Sequence, residues 1–183
     1  MQSENIQDQI TEVLITEAQI KQRTAEMAKV LDEKYDGKNP LLVGVLKGAV
    51  MFMADLSRAM NIPVNMDWMA LSSYGSGTVS SGVIRILKDL DTDVHGRHIV
   101  IVEDIIDSGL TLSWLASNLE ARGAASVEVV TLLRKPAAMK VEVEVGQVGF
   151  DIPNEFVVGY GLDYAERYRN LTSVAVLSPK VYK

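Results

Sequence analysis

The chain has 183 residues, 48% of them hydrophobic and only 6% aromatic, with a formal net charge of -6. That length allows one sizeable core built mostly from Leu, Val, Ile and Met, and is short for two domains. An acidic chain without a Lys/Arg run argues against nucleic acid or an anionic membrane surface as partner, and the absence of cysteine removes disulfides, thiol nucleophiles and thiolate zinc sites together.

Residues 1–15 are polar and then mildly apolar, and a partly mobile segment is expected there. The opening MQSENIQDQI lacks a basic, apolar signal pattern, and no apolar run approaches the roughly 18 residues of a membrane span. A soluble, cytoplasmic protein is the expectation. Thr16 with Gln19 three residues on fits a capping box, and Ile20, Met27 and Leu31 recur at helical spacing up to Tyr35. Asp36-Gly37-Lys38-Asn39-Pro40 breaks the pattern.

Leu41 to Leu46 is an unbroken apolar run and reads as a buried parallel strand. Gly48 to Met60 is apolar nearly all round, which predicts a well-buried helix. A strand follows over Val64 to Ser72, then SYGSGTVSSG (Ser73–Gly82), too polar and glycine-rich for an element and read as a mobile loop. Strand character resumes from Val83 to Lys88, and Asp89 to Gly96 is a polar turn. His98 to Val102 is a second β-branched run, followed by an acidic segment and a helix with Leu112, Leu115, Ala116 and Leu119 on one stripe, closed by Gly123. Further strands are expected at Ser126–Leu133, Val148–Phe150, Phe156–Tyr160 and Ser173–Leu177. Strands alternating with helices imply an α/β fold with a mainly parallel sheet. His95 and His98 lack an organised acid partner and receive no role.

In open α/β sheets, ligands bind beyond the carboxyl ends of the strands. Val102 is placed at such an end, followed by Glu103, Asp104, Asp107, Ser108, Gly109, Leu110 and Thr111. Backbone N–H groups where a loop turns into a helix favour phosphate, and Ser108 and Thr111 add hydroxyls. Glu103, Asp104 and Asp107 would repel a bare phosphate, so the ligand must also offer hydroxyls or bring Mg2+. A sugar phosphate does both. No GKS or GKT is present, so this is not a Walker loop. The plain alternative, solvated acids with Asp107 or Ser108 as a helix N-cap, explains one such residue rather than the whole series.

The segment Glu103–Thr111 resembles the phosphoribosyl-pyrophosphate motif of type I phosphoribosyltransferases, in the form found in the hypoxanthine-guanine branch. The resemblance extends through LLVGVLKGAVMFMADL (Leu41–Leu56), SSYGSG (Ser72–Gly77), LLRK (Leu132–Lys135) and VGFDIPNEFVVGYGLDYAERYRNL (Val148–Leu171), nearly the whole chain in the expected order. It implies a type I phosphoribosyltransferase fold with a mainly parallel central sheet flanked by helices. It also implies one domain over 1–183, with a core at about 38–135 and a small hood from the N-terminal segment and about 136–183.

The activity implied is purine salvage: Mg2+-dependent transfer of the 5-phosphoribosyl group from phosphoribosyl pyrophosphate to hypoxanthine or guanine, giving IMP or GMP and pyrophosphate. Carried over residue by residue, the resemblance makes Glu103 and Asp104 ligands of the ribose hydroxyls or Mg2+, and Ser108 to Thr111 the 5′-phosphate cradle. Asp107 becomes the general base at N7 of the purine. Lys47 and Gly48 would hold pyrophosphate beside a non-proline cis Leu46–Lys47 bond, with Arg169 as a further pyrophosphate ligand. Lys135 would reach the exocyclic oxygen of the purine, Phe156 would stack on the base, and the Val157 backbone would bond its edge. Asp163 would hold a second Mg2+ and contact the base, and Ser73-Tyr74 would begin a lid. Taken singly, Lys47, Lys135, Arg167 and Arg169 read as surface charges, and Phe156–Tyr160 as an ordinary strand. A homodimer or homotetramer is also implied, with the helix Gly48–Met60 as a candidate interface.

Two other readings compete. A nucleotide-sensing regulator of RNA or DNA conflicts with the lack of a basic patch. Another phosphoribosyltransferase remains open for xanthine as a side substrate, whereas Lys135, Phe156 and Asp163 disfavour adenine and pyrimidines.

Overall fold

The computed structural model describes residues 6–73 and 84–182. Two sheets organise it. The larger has six strands in the order β4-β3-β2-β5-β6-β7, formed by β2 (Leu41–Leu46), β3 (Asn65–Ser73), β4 (Ile84–Lys88), β5 (His98–Ile106), β6 (Ser126–Arg134) and β7 (Gln147–Asp151). Its neighbours run parallel except β4, which pairs antiparallel with β3. The smaller sheet joins β1 (Ile10–Ile15), β9 (Val174–Leu177) and β8 (Val157–Val158), all antiparallel.

The unbroken apolar runs are explained by what covers the two sheet faces. On β5, Ile99 and Ile101 pack into one layer with Leu112, Leu115 and Leu119 of α3 (Leu110–Ala121). Val100 and Val102 point the other way, onto Ile20, Met27 and Leu31 of α1 (Glu17–Tyr35) and Phe52, Met53 and Leu56 of α2 (Val50–Ala59). A strand buried on both faces has no solvent side to alternate with. The start of α1 is set by the expected capping box: Thr16 Oγ accepts from Gln19 N at 3.3 Å, and Gln19 Oε1 accepts from Thr16 N at 2.9 Å.

Four expectations change. Within the segment 1–15 expected to be partly mobile, residues 10–15 form β1, which hydrogen-bonds to β9 with Ile10 opposite Leu177 and Ile15 opposite Val174, while residues 1–5 lie outside the described residues. Helix α2 is not apolar all round: Met51 is 38% exposed and Arg58 points to solvent, because only one face meets α1 and the sheet. Strand β5 does not end at Val102 but continues to Ile106, its pairing with β6 running on through Glu103↔Thr131 and Ile106↔Arg134. The sheet also extends past residue 135, where the core was expected to stop, because β7 pairs parallel with β6 as far as Asp151. A short helix, α4 (Pro179–Tyr182), follows β9.

Candidate active site

The parallel strands β2, β5 and β6 end along one edge of the sheet, where Gly48, Glu103, Asp104, Asp107, Ser108 and Lys135 gather. The extension of β5 places Glu103 and Asp104 on the strand itself, leaving Asp107, Ser108 and Gly109 to make the turn into α3. The N-cap of α3 is Gly109, with φ of 79° and no side-chain cap, so neither Asp107 nor Ser108 has that role. Ser108 Oγ accepts only a long 3.4 Å bond from Leu110 N. A glycine suits the left-handed turn, and a first helical turn without a side-chain cap presents its N–H groups to an anion. Glu103, Asp107, Ser108, Gly109 and Thr111 line a cavity of about 260 Å3, floored by Val45 and Leu115. An adjoining opening of about 540 Å3 shares Asp107 and Ser108 and reaches Lys140 and Asn154.

Asp104 is 9% exposed, and its Oδ1 accepts from Ile105 N at 2.8 Å. Its carboxyl lies so close to Gly48 that a Cβ on that glycine would come within 1.6 Å of Oδ2. Gly48 is therefore what lets the β2 turn lie on the β5 carboxylates. Burial, and then the neighbouring carboxyl, push Glu103 well above the ordinary carboxylate range. Burial raises Asp104 as well, against hydrogen bonds and the charge of Arg169, which act downward. Two such groups side by side need hydroxyl donors or a cation to be comfortable as anions.

Four predicted residues, Lys135, Lys47, Arg169 and Asp163, are held by polar contacts. Lys135, 8% exposed at the end of β6, has its Nζ 3.9 Å from Oδ2 of the solvent-facing Asp107. Lys47 follows a cis Leu46–Lys47 bond and pairs with Glu166 at 3.0 Å. Arg169 donates to Gly161 O at 2.8 Å and pairs with Asp163 at 2.9 Å and Glu166 at 3.1 Å. Asp163 also accepts from Glu166 N at 2.8 Å.

Phe156 precedes β8 and is 39% exposed, with its ring edge-on to Tyr164 at 5.8 Å and tilted against Tyr182 at 5.0 Å. Val157 is buried and pairs with Val176. As β8 is the edge of its sheet, one side of its backbone faces away from β9. The strand expected over Phe156–Tyr160 shrinks to Val157–Val158, because Gly159 and Tyr160 turn with positive φ into the following loop. Ser73 ends β3; Tyr74 and the rest of the expected lid lie outside the described residues.

Sequence reasoning missed Glu166 and the aromatic partners Tyr164 and Tyr182. The only available signal for Glu166 was its spacing, three residues from both Asp163 and Arg169. Nothing local marks Tyr182 as a neighbour of Phe156.

Among the described residues, no three acidic or imidazole side chains converge on one point. The donor set still fits Mg2+, which takes one or two carboxylates and completes its shell with water and substrate phosphates. The fit is to two separate positions, Glu103–Asp104 and Asp163, rather than to one protein cage.

A family model described as "Phosphoribosyl transferase domain" matches residues 11–165. A hypoxanthine-guanine phosphoribosyltransferase of Mycobacterium tuberculosis is 56% identical over 180 residues, covering 95% of this chain and 89% of that protein. One from Bacillus subtilis is 53% identical over 174 residues, covering 95% and 97%. Among solved structures, a hypoxanthine phosphoribosyltransferase from Staphylococcus aureus aligns with a TM-score of 0.95 at 43% identity, covering 100% of this chain and 99% of that one.

Proposed function

Because the chain belongs to the phosphoribosyl transferase family, we propose that it is a purine-salvage enzyme joining hypoxanthine or guanine to phosphoribosyl pyrophosphate. The products are IMP or GMP and pyrophosphate. The observation that carries this reading is the meeting of Lys135 and Asp107, 3.9 Å apart at the rim of the phosphate cradle. One group recognises the base and the other handles its proton, beside the place where the sugar phosphate sits.

Each residue then has a task. The N–H groups at the start of α3, with Ser108 and Thr111, hold the 5′-phosphate. Glu103 and Asp104 accept from the ribose hydroxyls, which relieves their burial. Lys47, the Gly48 backbone and Arg169 hold the pyrophosphate and stabilise the charge it gains on leaving. Phe156 stacks on the purine, with Tyr164 and Tyr182 against its ring, and the free backbone edge at Val157 bonds the base. Lys135 donates to the exocyclic oxygen, which admits hypoxanthine and guanine and disfavours an amino group. Asp107 sits at N7, where an ordinary carboxylate is a weak base, so it mainly places a proton that the purine itself releases. Glu103 and Asp104, and separately Asp163, would hold Mg2+, which would supply positive charge to offset that of the pyrophosphate. The three-stranded sheet and its loops act as a hood over this edge.

Among the described residues no helix is long and apolar enough to cross a membrane, and kinship supports a cytoplasmic location. Kinship also supports a homodimer or homotetramer, which light scattering coupled to size exclusion would measure. The deciding experiment for function is a panel of free bases with donor and Mg2+. Nucleotide formation from hypoxanthine or guanine is expected; product from neither would overturn the reading.

A further inference from the structure

The Glu166 side chain is 66% exposed, yet both of its carboxylate oxygens are engaged. Oε2 lies 3.0 Å from Lys47 Nζ and Oε1 lies 3.1 Å from an Arg169 terminal nitrogen. The two cations belong to different loops, one after β2 and one 122 positions later in the chain, by difference of their residue numbers. A single small anion spans them, as a phosphate would. Hydrogen bonds from Lys47 first and Arg169 second hold Glu166 below the usual carboxylate range.

The turn that aims Glu166 is shaped by its contacts. Ala165 and Glu166 both adopt positive φ, 51° and 61°, a region that non-glycine residues enter at a cost. The Glu166 N–H is tied to Asp163 Oδ2 at 2.8 Å. Arg169 keeps its place without Glu166, because its other terminal nitrogen donates to Gly161 O at 2.8 Å and Asp163 lies at 2.9 Å. The carboxylate of Glu166 is thus the movable member of the group.

We propose that Glu166 is an internal stand-in for pyrophosphate: its carboxylate occupies the cations Lys47 and Arg169 and must leave them before the pyrophosphate end of the donor, or product pyrophosphate, can bind. The proposal rests on the reading of Lys47 and Arg169 as pyrophosphate ligands. A carboxylate left beside a bound pyrophosphate would repel it, so Glu166 competes with the ligand rather than assisting it. It keeps two like-charged loops together in the empty site and speeds release of the product by retaking its cations.

The test measures binding of inorganic pyrophosphate, with Mg2+, by calorimetry on the whole protein and its variants. Exposed ion pairs hold weakly, so Glu166→Gln is expected to tighten pyrophosphate by about three- to tenfold. Glu166→Asp, a shorter reach with the charge kept, should fall between Gln and the unaltered protein. Lys47→Ala should weaken binding. Unchanged or weaker binding in Glu166→Gln, with Lys47→Ala weakened, overturns the stand-in role alone. If Lys47→Ala binds pyrophosphate as the unaltered protein does, the assignment of that cation falls and takes the proposal with it.

Discussion

A buried ammonium beside an exposed carboxylate is an unusual pairing, and Lys135 with Asp107 is the most informative pair in the molecule. Lys135 is 8% exposed and 3.9 Å from its partner, too far for a firm hydrogen-bonded ion pair. If the two act on the base as proposed, their variants separate in kinetics. Asp107→Asn should lower turnover about a hundredfold or more while the KM of the donor changes little, measured by steady-state nucleotide formation; normal turnover would remove Asp107 from the reaction. Lys135→Ala should raise the KM of hypoxanthine and guanine about tenfold or more, as expected for losing a charged hydrogen bond. A change confined to donor affinity would show that Lys135 serves the sugar phosphate instead. Asp107 was legible in the sequence because it stands in a run of acids and hydroxyls that no local structural need explains. Lys135 was not legible without the family resemblance, because one lysine after a strand resembles any other until its burial is known.

At the scale of elements, the strands announced themselves by composition, but their ends did not. The apolar run of β5 stops at Val102, yet the strand continues through two carboxylates because its partner β6 continues to pair with it. Hydrogen bonding between strands, which no single segment encodes, set that boundary. A similar polar residue inside β3 illustrates the energetics. Asp67 is 5% exposed; its Oδ1 accepts from Trp68 N at 2.7 Å, and its Oδ2 accepts from Asp91 N at 2.9 Å and Thr92 N at 2.8 Å. Burial pushes this carboxyl up, but the hydrogen bonds from Trp68, Thr92 and Asp91 outweigh it and leave Asp67 below its ordinary value. A lowered folded-state pKa stabilises the fold above the unfolded value, about 3.9, and that contribution disappears as pH falls through the folded value. Asp67→Asn should therefore cost about 1–3 kcal/mol near neutral pH and flatten the loss of stability in acid. Urea unfolding at several pH values would measure both, and an unchanged acid slope would show that other carboxylates carry it.

At the scale of the whole molecule, the small sheet packs Ile15, Val157, Val174 and Val176 into the same core as α1 and α2. Tyr160, just after β8, is 8% exposed and donates its hydroxyl to Asp55 Oδ2 on α2 at 2.7 Å. This bond joins the turn after β8 to α2, close in sequence to the loop that carries Asp163, Glu166 and Arg169. Tyr160→Phe should cost about 1 kcal/mol in global unfolding, at the low end because the half-exposed Asp55 regains water. It should also weaken pyrophosphate binding through a looser Arg169. Loss of stability with intact pyrophosphate affinity would show that the tie is structural alone.

By itself the sequence determined the α/β class, the main strands and helices, the capped start of α1 and the turn from the acidic segment into α3. Each of these rests on contacts between near neighbours: hydrophobic period, a cap three residues away, backbone N–H groups at a helix start. Only the tertiary structure decided that β1 pairs with β9, that Gly48 makes room for Asp104, that Lys135 faces Asp107, and that Glu166 spans Lys47 and Arg169. Those are meetings between segments far apart in the chain. Their geometry is set by strand pairing and close packing, which local pattern does not carry.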